Sequence, residues 1–170
     1  MKKIYQGFGI FILFITVALG LFLFGMRFSD GPLEIISGGP FKTGELTPAP
    51  SDWSFLKELD TIEFQTLDPL SSRTVWVASH QGRMFIVSGY MNQGYAAIWK
   101  QWPHYLEDDN RIMLRIDGKL YEQKLVRIMD DPVVVPVLNE LSRKYLGGEA
   151  VTSNEQVSRG DTWMFEVTDR

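Results

Sequence analysis

Apolar residues are distributed along this chain in three regimes. From Ile4 to Met26 they are nearly continuous, in an uncharged run rich in Phe, Ile, Leu, Val and Gly that follows Lys2 and Lys3. A helix rises about 1.5 Å per residue and about twenty apolar residues cross a bilayer's hydrocarbon core, so the run predicts a spanning helix. A cleavable signal would have a shorter apolar stretch, about 7–15 residues, and a small-x-small cleavage site. This run ends in Phe24-Gly25-Met26-Arg27-Phe28, so residues 1–26 are expected to remain as an uncleaved anchor.

Residues 27–52 form the second regime. Gly31-Pro32, Gly38-Gly39-Pro40, Gly44, Pro48 and Pro50 interrupt any regular element, which predicts a stalk. Leu33, Ile35, Ile36 and Phe41 are too apolar for a freely solvated tether, so part of it should pack on the domain or lie near lipid headgroups.

The third regime, residues 53–170, is where a period of two appears. Thr61 to Thr66 alternates apolar and polar positions, as a half-buried strand does. Arg73 to Ser79 and Met84 to Gly89 read as strands joined through His80-Gln81-Gly82-Arg83. Arg111 to Ile116 and Lys119 to Ile128 flank Asp117-Gly118, a pair suited to the positive φ angles of a type I′ hairpin turn. Trp163 to Val167 alternates again and reads as a closing strand. Two segments read as helices: Ala96 to Leu106, interrupted by Pro103, and one entered through Asp131-Pro132 as N-cap and first helical position. In the second, Val134, Val137, Leu138, Leu141 and Tyr145 recur at helical spacing, Gly147 ends the pattern, and Pro136 is a second possible start. Six short strands with two helices predict a mainly β domain built as a small antiparallel barrel.

Composition narrows the chemistry. The formal charge of −4, with scattered basic residues, leaves no nucleic-acid footprint. With no cysteine, disulfides, thiolate metal sites and covalent haem attachment are excluded. His80 and His104 are too few for an all-histidine metal site, so no metal centre is expected. No Gly-x-Ser-x-Gly elbow or Walker loop is present. Any catalysis would depend on hydroxyls, carboxylates, Lys, Arg or a bound cofactor.

Four features from Trp53 to Leu146 carry a resemblance. They are an Arg opening the second strand in Arg73-Thr74-Val75-Trp76-Val77, and the glycine-bounded strand Met84-Phe85-Ile86-Val87-Ser88-Gly89. A helix entered through Ala97-Ile98-Trp99-Lys100-Gln101-Trp102 and the hairpin Met113 to Arg127 complete the set. In these the chain resembles the flavin-binding split-barrel superfamily, which includes pyridoxamine-phosphate oxidase-like flavoproteins and deazaflavin-dependent nitroreductase relatives. The resemblance implies a six-stranded antiparallel split barrel with two flanking helices behind one N-terminal transmembrane helix. It also implies that basic and hydroxyl side chains hold the phosphate of FMN or a deazaflavin. Carried over, these are Arg73, Thr74, Ser88 and Lys100, with Trp99 and Trp102 beside them. Residues 88–95 lack the compact Ser-x-Lys arrangement of the oxidases, and Lys100 aligns better with the deazaflavin-type relatives.

Each feature also has a plainer reading. Arg73 could pair with Asp68, and Lys100 could snorkel over Trp99 and Trp102. Tyr90, Tyr95, Trp99, Trp102 and Tyr105 could stack on a flavin ring or simply build core. His104 could ligate haem, as in some split-barrel haem proteins, but a lone His is more often hydrogen-bonded at the surface or in the core.

Lys2 and Lys3 on one side of the apolar run place the amino terminus in the cytoplasm and the domain outside, at a bacterial inner membrane. The expectation is a membrane-anchored, periplasmic flavin- or deazaflavin-dependent oxidoreductase. The alternative is a cofactor-free accessory module of a membrane complex, with Trp53, Trp76 and Trp102 at the interface. A homodimer is expected in either case, with Trp76 or Trp102 near the contact and no catalytic proton donor assigned.

Overall fold

In a computed structural model, residues 2–94 and 100–170 are described, and side chains from Tyr5 onward. The first apolar regime is one helix, α1 (Lys2–Met26), with Tyr5–Met26 reaching a mean hydropathy of 2.6, which is long and apolar enough to span a membrane. Most of its apolar side chains are exposed, Phe14 at 70 % and Leu21 at 67 %; near its end Phe24 meets the Phe28 ring edge-on at 5.3 Å.

The barrel strands are β2 (Thr61–Leu67), β3 (Leu70–His80), β4 (Arg83–Ser88), β5 (Arg111–Ile116), β6 (Lys119–Ile128) and β7 (Trp163–Asp169). They pair in the order β6-β5-β2-β3-β4-β7, every pair is antiparallel, and β7 also pairs with β6, so the sheet closes. A further two-residue strand, β1 (Glu45–Leu46), lies parallel to β6.

The hairpins follow local chemistry. Asp117 and Gly118 have φ of 49° and 75°, and Gln81 and Gly82 have 51° and 76°, the mirror-image turns that match strand twist. His80 and Arg83 are therefore paired strand residues, outside the turn itself. Leu70, Ser71 and Ser72, which lack strand character in sequence, are drawn into β3 because the turn at Asp68-Pro69 returns them along β2.

Alternation along the strands builds two cores. Phe64, Val77, Met84, Ile86, Ile112, Leu114, Leu125 and Phe165 belong to one cluster, joined by Trp102 and Leu106. Trp102 and Leu106 lie on α2 (Trp102–Asp108). This helix starts at Trp102 with Pro103 in its first turn, so the proline begins it where the sequence reading had it interrupting a longer helix. The part of that expected helix at residues 96–99 lies outside the described residues.

The second cluster joins Ala78, Phe85 and Met164 to Val134, Val137, Leu138 and Leu141 of α3 (Val134–Tyr145), with Val157 of the short α4 (Glu155–Ser158). The start of α3 corrects the expected cap. Asp131 accepts a hydrogen bond from the Val133 N–H at 2.8 Å, one turn short of the helix, and Val133 is the N-cap. Pro136 then sits in the first turn, where no N–H is required of it.

Residues 27–47 lie along the barrel. Gly38 and Ser72 exchange backbone hydrogen bonds of 3.0 and 3.1 Å, and the Ser72 hydroxyl donates to the Gly39 carbonyl at 2.5 Å. Ser29 connects this contact to the end of α1, donating to Met26 O at 2.8 Å and accepting from Gly39 N–H at 3.3 Å. The approach is close enough to require glycine: a Cβ on Gly38 would lie 1.8 Å from Gly31 O, and one on Gly39 2.5 Å from Arg27 O.

Candidate functional site

The register of β3 creates an opening. Its ladder with β4 ends at Val77–Ile86, although β3 continues back to Leu70 and β4 on to Ser88. The strands diverge there and leave a cleft of about 1000 Å³, lined on one side by Arg73, Thr74 and Val75 and on the other by Val87, Ser88 and Gly89. Two side chains of α3 secure the point of divergence. Tyr145 accepts the Val77 N–H at 3.1 Å, and the Lys144 ammonium donates to Val77 O at 2.9 Å, Leu56 O at 3.0 Å and Leu59 O. Backbone groups left by the broken ladder are thereby satisfied.

Arg73 is the most unusual group in the cleft. It stands opposite Phe64 on β2, and its guanidinium lies 5.9 Å from the Phe64 ring centre and 6.0 Å from that of Trp102. Its Nε is buried without a hydrogen-bond partner among the described residues. The expected alternative, an ion pair with Asp68, does not form. Burial pushes the guanidinium down to about 10, which still leaves it charged at neutral pH.

Lys100 enters from the other wall. Its ammonium donates to Gly89 O at 2.7 Å and lies 5.4 Å from the Tyr90 ring centre, and burial lowers its pKa. Ser88 is buried and its hydroxyl meets the Met91 sulfur at 3.3 Å. Thr74 lines the cleft beside Arg73, and Trp102, only 5 % exposed, packs edge-on against Phe64 at 5.0 Å. The cleft thus gathers Arg73, Thr74, Ser88, Lys100 and Trp102, while Trp99 lies outside the described residues.

The other aromatic expectations divide. Tyr90 lines the cleft, Tyr105 packs against the core, and Tyr95 lies outside the described residues. Trp53 and Trp102 are buried within the chain, at 6 % and 5 % exposure. Trp76 is 49 % exposed and stacks on Tyr145 with ring centres 4.5 Å apart. His104 is outside the cleft lining, edge-on to Trp163 at 4.9 Å and 3.7 Å from Glu107. No group of three or more His, Cys, Asp or Glu suited to a metal ion occurs among the described residues.

Sequence reasoning missed the contributions of Asp161, Thr162 and Gln156 to the cleft wall, and of Glu34 to Ser37. No motif marks them, because register and the path of residues 27–47 bring them there.

No protein-family model matches the chain, and no curated protein matches its sequence. Solved structures similar to it include the following two. The conserved hypothetical protein Rv2991 from Mycobacterium tuberculosis is 14 % identical, with a TM-score of 0.47 over 68 % of this chain and 76 % of that one. HutZ, the heme storage protein from Vibrio cholerae, is 12 % identical, with a TM-score of 0.45 over 68 % of this chain and 85 % of that one.

Proposed function

We propose that this chain is a membrane-anchored split-barrel protein whose cleft binds the phosphate of FMN or a related deazaflavin, serving an extracytoplasmic oxidoreductase. The observation that carries the reading is Arg73: a charged guanidinium near two aromatic rings, with a buried Nε that has no partner among the described residues, beside an open cleft. A buried polar group without a partner is costly, and a bound anion relieves that cost. Lys100 and Ser88 add a second cation and a hydroxyl on the facing wall. Phosphate oxygens accept charge-assisted hydrogen bonds from Arg and Lys and a shorter one from a hydroxyl, so this donor set fits the group.

A bound flavin would supply the electron-transfer chemistry; the chain's own residues would hold and shield it. Arg73 would fix the phosphate, and Trp102 and Phe64 would keep water from the guanidinium. Tyr90, 65 % exposed at the cleft edge, offers a ring face to a planar ligand. Haem is less well supported. His104 points to Trp163 and Glu107 outside the cleft, and His80 pairs with Arg83 at a hairpin end.

Titration of FMN into the full chain in detergent or nanodiscs tests this. Losing one charge-assisted contact contributes about 1.5–3 kcal/mol, so Arg73→Ala and Lys100→Ala should each weaken binding roughly tenfold to more than a hundredfold. Lys57→Ala, on the short 3-10 turn before β2, should leave it unchanged. Equal affinity across all four proteins would remove the phosphate site.

Trp76 supports the second reading, an accessory module of a membrane complex. An exposed Trp stacked on a Tyr is the kind of anchor that contributes most to protein interfaces. If a folded parent chain binds no flavin, this reading gains.

A further inference from the structure

We infer that the mouth of the cleft rests on the bilayer, so that the face of the barrel around β3 is a lipid-docking surface. The inference rests on the reading of α1 as a membrane-spanning helix, and on no bound flavin. Its first support is continuity. Leu23, inside the apolar span, lines the same cleft as Ile35, Tyr90 and Leu146. Those three are exposed at 83 %, 65 % and 63 %, and they come from three separate parts of the chain. Their shared site adjoins a residue that lies within the hydrocarbon if α1 spans.

The second support is rigidity. The hydrogen bonds from Met26 through Ser29 and Gly39 to Ser72 join the end of α1 directly to β3. Asp30 adds an ion pair to Arg115 at 2.7 Å, and the Arg115 guanidinium lies over Phe41 at 4.3 Å. A domain held this way cannot turn its apolar mouth from the membrane without breaking those contacts. Isoleucine, leucine and an amphipathic tyrosine suit the boundary between headgroups and acyl chains.

Charge indicates the mode of docking. The charged side chains lining the cleft are Arg73 and Lys100, opposed by Glu34 and Asp161. They cancel, so docking should proceed by apolar insertion and be indifferent to lipid charge.

The absence of cysteine permits a direct test in the full chain. Ile35→Cys and Leu146→Cys are each labelled with a nitroxide, as is Val126→Cys, which is 41 % exposed on β6, the strand opposite β3 around the barrel. All three positions are exposed, so labelling leaves the cores intact. The proteins are reconstituted at low density into vesicles of phosphatidylcholine alone, and into vesicles containing phosphatidylglycerol. The labels at 35 and 146 should collide several-fold more with dissolved oxygen, which concentrates in lipid, than with a water-soluble nickel chelate; the label at 126 should show the reverse. Similar collision ratios at all three sites would overturn the proposal. So would immersion only in the anionic vesicles, which would mean electrostatic docking, or protection that grows with protein density, which would mean a second copy covers the face. Flavin titration on the same samples separates the two ideas. Binding with a water-facing mouth sinks the docking alone, and an immersed mouth without binding sinks the flavin reading alone.

Discussion

Arg115 and Arg73 stand opposite neighbouring residues of β2, Glu63 and Phe64, and so project to opposite faces of the barrel wall. Arg115, outside, is fully engaged: it pairs with Glu63 at 2.5 Å and Asp30 at 2.7 Å and lies over Phe41. Arg73, inside the cleft, has rings for neighbours and an Nε with no partner among the described residues. The same side chain thus serves two ends. A cation surrounded by partners fastens residues 27–47 to the barrel, whereas one left incomplete is available to a ligand.

The strongest way to break this contrast is to lift the fastened segment. Gly38→Ala places a methyl against the Gly31 carbonyl and displaces the paired hydrogen bonds to Ser72. Strain plus two lost bonds should cost about 3 kcal/mol, read as a lower Tm of the reconstituted chain. Arg115→Met should cost about 2 kcal/mol by the same measurement. It strands Asp30 and Glu63, and their 30 % exposure tempers the penalty of a fully buried pair.

Arg73→Met should do the opposite. Replacing a desolvated cation whose Nε has no hydrogen-bond partner among the described residues with an apolar side chain should leave stability unchanged or raise it by up to about 1 kcal/mol, while FMN affinity falls. A loss of stability as large as that of Arg115→Met would erase the contrast and make Arg73 structural. The smallest effect is a dependence on pH. Asp30's carboxyl is held well below the usual carboxylate range, first by the Lys42 N–H, then by the Thr43 hydroxyl, with Arg115 assisting against partial desolvation. A depressed folded-state pKa stabilises above the unfolded value of about 3.9 and stops doing so as pH falls through the folded one. The Tm difference between the parent and Asp30→Asn should therefore hold from about pH 8 to about pH 5, then narrow below about pH 4.

How much of this was legible in the sequence follows from locality. Asp117-Gly118 fixed its hairpin because the turn's φ requirement is met within two residues. The face of α3 was legible because Val134, Val137, Leu138 and Leu141 share one helical stripe. Its start was less so, since Asp131 caps a turn that precedes the helix. For the cleft, residue types at Arg73, Ser88 and Lys100 could be singled out through a resemblance, but not their surroundings. Nothing in Arg73-Thr74-Val75-Trp76 shows that the ladder with β4 stops at Val77. Nor does a Gly/Pro-rich stretch announce that Asp30 will meet Arg115, a contact between residues far apart in the chain.

The double pairing of β7 has a consequence for assembly. It is the last of the barrel strands to be synthesised, and it alone joins β4 to β6. Until it arrives, both of those strands carry unpaired edges, and β4 waits while all of α2, β5, β6 and α3 are made. Closure is then a contact of high sequence separation, the slow kind. If α1 has already entered the bilayer, the open sheet waits in a crowd confined to two dimensions, where an edge-seeking neighbour is never far away. Biogenesis of this protein should thus depend on an escort for the half-built sheet during that interval.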